Sequence, residues 1–479
     1  MTLKNLRLIR DILNKSLDAL ETRYIAKSMA FPSLDQVYPQ DEVDLSLDAE
    51  TIQIVNLTVS AAYQLIMMVR HPFASLADAA TAYHLSACLG IAEKFNTAEI
   101  LREHGDNGLH VDDIAARAGV EPRKLGRILR YLATHHIFRE VSPNQFANNR
   151  ISSYFDTGKS SQDILANPSE KYHGTSGAVG YIGTFTDEVF KASSHLLEAL
   201  EDHDSGSQYF ANKAAFQKAF GTNQDYFGWL EGPQNTYRFN RYGACIRGTS
   251  LWDHPDSILQ GFEWSSLEPS SLVVDVGGGT GAPAMAIARA HPHLQIIIQE
   301  REPVVIQGVQ YWKSLYPEAL HEGRVSFQGE RLLHDFCEVQ PQSLAAVFLV
   351  RTIAHDWPDD MVVKILTQLR LAASRNVKLV LGDFLIPHAC RDDLGDNVID
   401  GAAAKDVPHP LLANLGKASA NVYSIDMTMQ VLLNGQERSL AHQVDIAAQA
   451  GWRVIRVRRI DNSHFGYTIA EPIIAESEA

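Results

Sequence analysis

A histidine and a glycine-rich turn are the residues of this chain best suited to chemistry. Gly277, Gly278 and Gly279 follow a short apolar run that ends near Asp275, and His355 lies farther along the chain. Glycine lets a backbone approach a bound nucleotide closely, and the start of the following helix adds a positive dipole. An imidazole with an ordinary pKa of about 6.5 is a competent general base near neutral pH. The two features together predict an enzyme that binds a nucleotide-type cofactor.

The glycine turn alone leaves two cofactors open. The spacing of Gly277, Gly279 and Ala282 fits the dinucleotide fingerprint, and Glu300 ends the next apolar run at a distance suited to a ribose diol. This pattern is shared by nicotinamide and S-adenosylmethionine enzymes. Asp275 stands two residues before the first glycine, where its carboxylate can take an ammonium group, and therefore favours S-adenosylmethionine.

His355 needs a position and an orienting partner to act as a base. It follows the apolar run 345–350 and precedes a helical pattern that begins near Pro358. In an open α/β sheet the carboxyl ends of the strands face the ligand crevice. Asp383 ends the next predicted strand, so its carboxylate is expected to reach the same crevice and orient the imidazole.

The elements that must position these residues fall into regions with different patterns. Helical periodicity is predicted over 3–23, 52–69, 74–93, 111–118 and 122–134, and short strands over 138–141 and 145–147 complete a winged-helix pattern. The winged helix leaves a DNA-binding regulator open as an alternative, because its second helix carries four basic residues: Arg123, Lys124, Arg127 and Arg130.

Farther along, an aromatic-rich helical region precedes an alternating α/β pattern. Strands are predicted at 272–276, 295–299, 345–350, 378–383, 452–457 and 467–471. We therefore predict a helical, winged-helix domain over 1–160, a connecting and substrate-pocket region over 161–250, and a doubly wound, Rossmann-like α/β domain over 251–479.

Composition excludes several classes of function. The 479 residues carry a formal net charge of −15, which disfavours nucleic acid as the main partner. The four cysteines show no CxxC pairing, so neither a disulfide framework nor a metal site is predicted. The first residues lack an uninterrupted apolar stretch, and no segment has 18 apolar residues in a row, so we expect a cytoplasmic protein.

Four ordered motifs carry a family resemblance: 275–281, 355–359, Asp383, and 434–439 (Asn-Gly-Gln-Glu-Arg-Ser). Together they resemble the S-adenosylmethionine-dependent O-methyltransferases typified by the plant caffeic acid and flavonoid enzymes, and most closely the fungal branch. The resemblance covers about residues 75–475. It implies an N-terminal helical and winged-helix dimerisation domain, hence a homodimer, followed by a Rossmann-like catalytic domain.

The resemblance also implies roles for individual residues. His355 matches the catalytic base, and Asp383 and Glu437 match the acidic residues that flank it. The resemblance implies S-adenosylmethionine as the cofactor, and Arg351 stands where plant members carry a lysine. The predicted cofactor-binding residues are Asp275, Gly277, Gly279, Glu300, Asp335, Phe336 and Arg351. Cys245 and Met429 match the positions where the family holds the acceptor ring, and Phe227 and Trp229 of the aromatic helical region complete the predicted acceptor pocket.

The chain departs from the family pattern at several positions. Glu300 replaces the usual aspartate, residues 328–333 lengthen the approach to Asp335, and 388–420 is longer than in plant members. That longer loop is either a lid or a surface insertion.

The resemblance implies methylation of a hydroxyl, expected to be phenolic, on a small aromatic or polyketide-type secondary metabolite. A second reading stays open, because some fungal relatives bind S-adenosylmethionine without transferring its methyl group and catalyse dehydration or pericyclic ring formation.

Overall fold

The computed structural model describes residues 2–39, 44–203, 206–249, 257–330, 339–391, 399–403, 406–460 and 463–474. Contacts divide the chain into two units. The helical unit comprises Met1–Ser207 and Asn212–Trp252, and the sheet unit comprises Gln208–Ala211 and Asp253–Ala479.

The helical unit contains fourteen described α-helices. In chain order these are α1 Thr2–Ala26, α2 Ala49–Val69, α3 Pro72–Thr81, α4 Tyr83–Lys94, α5 Thr97–Arg102, α6 Val111–Ala118, α7 Pro122–Thr134, α8 Ser161–Ala166, α9 Ala178–Thr184, α10 Phe190–Ser193, α11 Leu196–Glu201, α12 Ala215–Phe220, α13 Tyr226–Leu230 and α14 Thr236–Thr249.

A three-stranded antiparallel sheet completes the predicted winged helix. Its strands β1 Leu109–His110, β2 Arg139–Ser142 and β3 Gln145–Ala147 pair in the order β1-β3-β2. Gly119 ends α6 in the left-handed region at a φ of 70°, and Pro122 opens α7 at a position where its missing N–H costs nothing. The winged-helix prediction is confirmed.

The sheet unit is an α/β domain with seven strands and seven described α-helices. The strands are β4 Leu272–Val276, β5 Gln295–Arg301, β6 Val325–Glu330, β7 Ala345–Arg351, β8 Lys378–Phe384, β9 Trp452–Arg459 and β10 Phe465–Pro472. The helices are α15 Ser257–Gly261, α16 Ala282–Ala290, α17 Glu302–Leu315, α18 Pro317–His321, α19 Asp359–Ala372, α20 Ala420–Leu433 and α21 Leu440–Gln449.

The seven strands pair in the order β6-β5-β4-β7-β8-β10-β9, with β4 to β8 parallel and β10 antiparallel to both neighbours. Successive strand residues enter different cores: Val273 packs in one apolar cluster and Val274 in the other. Both faces of the sheet are therefore covered, as the near-continuous apolar strands require. The doubly wound prediction is confirmed, and it places the carboxyl ends of β4, β7 and β8 at one edge.

Two elements differ from the sequence prediction. The helical pattern over 74–93 is divided at Ala82, whose N–H bonds to Ala79 three residues back and so tightens the turn. Strand β6 was not predicted, because Val325-Ser-Phe-Gln-Gly-Glu330 has only two apolar side chains and contains a glycine.

The longer loop over 388–420 touches the sheet edge where it is described. The Asp400 carbonyl accepts a hydrogen bond from the Val457 N–H at 2.8 Å, and the Asp400 carboxylate pairs with Arg456 at 2.7 Å. This part of the loop covers β9, and its role as a lid stays a prediction.

Helix α2 stands out among the described helices. It is long and apolar enough to cross a membrane by length and composition, and 11% of its most apolar window is buried.

Candidate functional site

His355 lies at the carboxyl end of β7, between β4 and β8 in the sheet. Thr352 leaves the strand at a φ of 53°, a short 3₁₀ turn over Ala354–Asp356 carries the histidine, and α19 begins at Asp359. The sheet order therefore brings His355 to the same edge as the glycine turn after β4 and Asp383 on β8.

Glu437 is the direct partner of His355. Its Oε1 lies 2.6 Å from the Nδ1 of His355, and its side chain is fully buried. A hydrogen bond to Nδ1 places the proton there and leaves Nε2 as the base nitrogen. Nε2 has Asp356 Oδ1 at 3.5 Å.

Asp383 belongs to the same cluster. We expected its carboxylate to orient the imidazole directly, because it ends the strand next to β7, but it makes no direct hydrogen bond to the ring. Its Oδ2 accepts a long hydrogen bond from Gln443 at 3.5 Å. Its buried Oδ1 and the Oε2 of Glu437 meet no hydrogen-bond donor within the described part of the chain. Asp383 instead contributes negative charge close to the ring.

The charges around His355 change its protonation. Burial, the largest single effect, lowers the pKa of the imidazole, but the negative charges of Glu437, Asp356 and Asp383 together outweigh it and raise the pKa to about 10. Burial raises the pKa of Asp383 above its usual range, and the nearby imidazole opposes this. The ligand-free cluster thus holds an imidazolium at neutral pH.

The three side chains also present one ligand atom each within 4.8 Å of one another, a grouping that can hold a cation. Two atoms bound to one zinc ion stand about 3.3 Å apart, as bond lengths near 2 Å in a tetrahedral site require. The 2.6 Å between His355 and Glu437 is a hydrogen-bond distance instead.

The glycine turn is built as the sequence suggested. Gly277 and Gly279 have φ angles of 70° and 58°, in the left-handed region that favours glycine. A Cβ on Gly278 would lie 2.4 Å from Asp275 Oδ2, whereas one on Gly279 would meet nothing within 4 Å. The turn is therefore packed against Asp275 at Gly278, whereas the space beside Gly279 is free for a ligand.

Asp275 is buried below this turn with one oxygen unused. Oδ2 finds no hydrogen-bond donor among the described residues, and the residue is 2% exposed. Burial raises the pKa of Asp275 to about 7, opposed by the charge of Arg351 and reinforced by Glu300. A cationic ligand group would relieve this unpaired carboxylate.

Glu300 and Arg351 border the same turn. Glu300 Oε2 accepts from the Gly279 N–H at 3.0 Å, and Oε1 accepts from the Arg301 N–H at 2.7 Å. The Arg351 guanidinium lies over the Phe465 ring at 4.7 Å, and its Nε is 3.4 Å from the Tyr467 hydroxyl. The turn, the buried carboxylate and Glu300 fit a nucleoside that carries an ammonium group, such as S-adenosylmethionine.

The remaining predicted site residues are divided between the two units or lie outside the described residues. Asp335 and Phe336 lie outside the described residues. Met429 belongs to α20 of the sheet unit, and its carbonyl accepts from the Gly435 N–H at 3.2 Å. The other three pocket residues belong to the helical unit: Phe227, Trp229 and Cys245.

Within the helical unit, Trp229 and Cys245 are 8% and 2% exposed. The Trp229 ring packs edge-on against Phe216 with centroids 5.1 Å apart. Phe227 is half-buried beside Tyr242, at 6.1 Å. Their role in an acceptor pocket stays a prediction.

Sequence reasoning missed the residue after Glu437. Arg438 is 3% exposed, and its guanidinium reaches the backbone on both sides of His355. The available signal was the motif 434–439 itself, of which only the glutamate had been given a role.

Comparison with known proteins assigns the chain to a family. The O-methyltransferase domain profile matches residues 198–403, and the O-methyltransferase dimerisation domain profile matches residues 77–158. An O-methyltransferase of Armillaria gallica is 39% identical over 98% of this chain and 99% of its own length. The 4-O-methyltransferase 1 of Phanerochaete chrysosporium is 37% identical over 95% of this chain and 96% of its own.

Solved structures share the fold at lower identity. The mitomycin 7-O-methyltransferase superposes with a TM-score of 0.63 at 21% identity, over 84% of this chain and 98% of its own. A pericyclic reaction enzyme superposes with a TM-score of 0.64 at 17% identity, over 89% and 95%. From the relatives over nearly the full chain, the protein belongs to the O-methyltransferase family, an enzyme family whose methyl donor is S-adenosylmethionine.

Proposed function

We propose that the protein methylates a hydroxyl, phenolic in kind, of a small aromatic or polyketide-type secondary metabolite, with His355 as the general base. The observation that carries the proposal is the 2.6 Å hydrogen bond from His355 Nδ1 to the fully buried Glu437, at the strand edge that also holds the glycine turn. A base fixed by a carboxylate beside a nucleotide cradle is the arrangement that proton removal during group transfer requires.

The chain's own residues would hold the methyl donor through charge and backbone. Asp275 pairs with the ammonium group, Glu300 takes the ribose diol, and Gly277 and Gly279 let the backbone approach. Burial raises the pKa of Asp275, and the positive charge of Arg351 opposes that rise. Bound S-adenosylmethionine supplies an electrophilic methyl group on a cationic sulfur.

His355 then accepts the acceptor's proton on Nε2 while Nδ1 stays bonded to Glu437. A free phenol ionises near pH 10, so at pH 7 only about one molecule in a thousand is a phenolate. Removal of the proton in place lifts that limit. The pKa of His355 falls when a cation binds beside it, so the neutral imidazole becomes available in the loaded enzyme.

The alternative reading is chemistry without methyl transfer, such as dehydration or pericyclic ring formation. The solved pericyclic reaction enzyme shares the fold of this chain but little of its sequence. An intact pair of His355 and Glu437 favours transfer, because a base poised for proton removal serves methylation directly.

The test is methylation by the wild type and His355→Gln of a panel of phenols, with S-adenosylmethionine labelled in its methyl group and mass spectrometry as the readout. We expect label in the product of the wild type and a rate about 10²- to 10⁴-fold lower in the variant, with cofactor affinity retained in calorimetry. Arg370→Lys, a change on α19 away from His355, is the control. Full activity of the variant sinks the base assignment, and unlabelled product from the wild type supports the alternative.

The dimerisation domain supports a second proposal, a homodimer acting in the cytoplasm. The outward face of α2 carries large apolar side chains at helical spacing, and α3 continues it. Val59, Tyr63, Ile66, Met67, Phe73 and Leu76 are 38%, 41%, 44%, 46%, 72% and 68% exposed. A large exposed apolar face marks an interaction site, and this helix ends just before the matched dimerisation domain, which begins at residue 77.

We therefore assign the α2–α3 face to a second copy of the chain. Tyr63→Glu with Met67→Glu is expected to yield monomers in sedimentation velocity, whereas Leu344→Glu, at an 87% exposed leucine of the sheet unit, leaves the dimer intact. A wild-type monomer that pellets with lipid vesicles would assign the face to a membrane instead.

A further inference from the structure

We propose that Arg438 is a positioning residue for His355. Arg438 fixes the backbone of the turn on both sides of the histidine, while its neighbour Glu437 fixes the imidazole ring. The inference rests on the proposed role of His355 as the base, and it gives a function to a residue of the motif 434–439 that no step of the reaction uses.

The contacts of Arg438 span the whole turn. Its Nη1 donates to the Ala354 carbonyl at 2.6 Å, and its Nη2 donates to the Trp357 carbonyl at 2.7 Å. Its Nε donates to Asp359 Oδ1, in the first turn of α19, at 3.0 Å. Ala354 and Trp357, which flank His355 and Asp356, are thus both bonded to the planar guanidinium of Arg438.

An arginine suits this task because its donors form a planar fork. Lysine carries its three donors on a single nitrogen, which cannot reach the three acceptors that the separate guanidinium nitrogens contact. The guanidinium is 3% exposed, so water does not replace a lost contact. Its charge is balanced by Asp359, at 2.9 Å from Nη2.

The turn needs such support because its backbone is strained. Thr352 has a φ of 53°, in a region that β-branched residues rarely adopt, and it starts the segment that leads to His355. Strain of this kind persists where the surroundings over-determine the conformation. Arg438 supplies that constraint on the far side of the turn.

The neighbours of Arg438 bring the two segments together. The Gln436 N–H donates to the His355 carbonyl at 2.9 Å, and a Cβ on Gly435 would lie 2.2 Å from the same carbonyl oxygen. Gly435 therefore lets the segment 434–439 come close to the histidine turn. This closeness allows Glu437 to contact the imidazole and Arg438 to contact the backbone of the turn.

The test compares Arg438→Lys with a matched control, Arg370→Lys. Arg370 also donates to two backbone carbonyls, those of Gly451 at 3.2 Å and Ile473 at 2.9 Å, but not on the histidine turn. We expect Arg438→Lys to lower kcat about a hundredfold with KM for the cofactor unchanged, since a displacement of about 1 Å in a reacting group has that effect. Arg370→Lys should lose some thermal stability and keep kcat.

The pH profile separates positioning from a loss of stability. Glu437, Asp356 and Asp383 face His355 and raise its pKa. When the turn shifts, the contact with Glu437 lengthens and that pKa falls. The acid limb of the rate profile therefore moves to lower pH in Arg438→Lys even though kcat is smaller. A merely destabilised enzyme keeps the limb where it was.

Proton NMR gives a readout that needs no turnover. The Nδ1 proton of His355, bonded to a carboxylate at 2.6 Å, should resonate far downfield of the amides and be absent in His355→Gln. It should persist in Arg370→Lys and shift or vanish in Arg438→Lys. If Arg438→Lys does not fold, Asp359→Asn, which keeps both carbonyl contacts and weakens the third, should show the same changes to a smaller degree.

The outcomes separate this inference from the proposed function. If the downfield proton signal depends on Arg438 but the wild type methylates no phenol, the positioning role stands and the proposed reaction is wrong. Wild-type kcat, pH limb and NMR signal in Arg438→Lys would overturn the positioning role alone.

Discussion

The two units bury charge in opposite ways. In the helical unit, Glu93 pairs with Lys171 at 2.8 Å with both side chains under 5% exposed, and Asp187 pairs with Arg241 at 2.8 Å. Although burial opposes ionisation, hydrogen bonds from Arg241 and Lys191 hold the pKa of Asp187 at about 2.

In the sheet unit, by contrast, two buried carboxylates at strand ends, Asp275 and Asp383, each keep an oxygen that no described donor reaches. The difference separates charges that hold the fold from charges kept for a ligand. Removing the cation from a buried ion pair destabilises the protein. A buried carboxylate without a cation destabilises the ligand-free protein until a ligand binds.

The largest expected effect comes from breaking the buried ion pair of Glu93 and Lys171. Glu93→Gln leaves Lys171 buried without its counter-charge and weakens the hydrogen bond from the Tyr172 hydroxyl to Glu93, now 2.9 Å. We expect the free energy of unfolding to fall by about 3–5 kcal/mol, measured by chemical denaturation, with kcat per folded molecule retained.

The control for that change is Asp11→Asn, whose pair with Arg10 is 54% and 67% exposed. An exposed pair contributes less than about 1 kcal/mol. Equal losses in the two variants would contradict the view that burial makes the Glu93 pair matter.

The second effect concerns protonation at the ligand edge. Because the pKa of His355 is raised to about 10 in the ligand-free chain, the neutral base is scarce at pH 7 and increases with pH. We expect kcat/KM for the cofactor, which reports the free enzyme, to rise about tenfold per pH unit between pH 7 and 9. The acid limb of kcat, which reports the loaded enzyme, should lie at lower pH.

Ionisation of a phenolic acceptor also speeds the reaction at high pH, so His355→Gln provides the baseline to subtract. A kcat/KM profile that is already flat above pH 7 in the wild type would show that the carboxylates do not raise the pKa of His355.

The same contrast explains how far the sequence alone could be read. Helices α6 and α7 and strand β4 were predicted at their observed bounds, because local periodicity, glycine and proline determine them. The edge that gathers His355, Asp383 and the glycine turn followed from parallel-strand topology. Topology did not give the partner of His355, because Glu437 lies 82 residues away in the chain. Only the family resemblance placed Glu437 beside the histidine.

Arg438 shows the same limit more sharply. A single arginine after a glutamate carries no sign that its guanidinium will meet two carbonyls 84 and 81 residues earlier. Such contacts depend on tertiary packing, which no window of sequence describes.

The smallest expected effect concerns Asp275, a buried carboxylate of the sheet unit, and the pH dependence of the free energy of unfolding. Asp275 has a folded pKa of about 7 against an ordinary 3.8, so between those pH values the folded chain binds more protons than the unfolded one, and stability falls as pH rises. Asp275→Asn removes the ionisation, so the free energy of unfolding of the ligand-free protein should rise at pH 8 and show no gain near pH 4. Denaturant titrations at the two pH values measure this, and calorimetry should show weaker cofactor binding because the ammonium loses its carboxylate. A variant that is less stable at pH 8, as Glu93→Gln is expected to be, would mean that Asp275 holds the fold and is not reserved for a ligand.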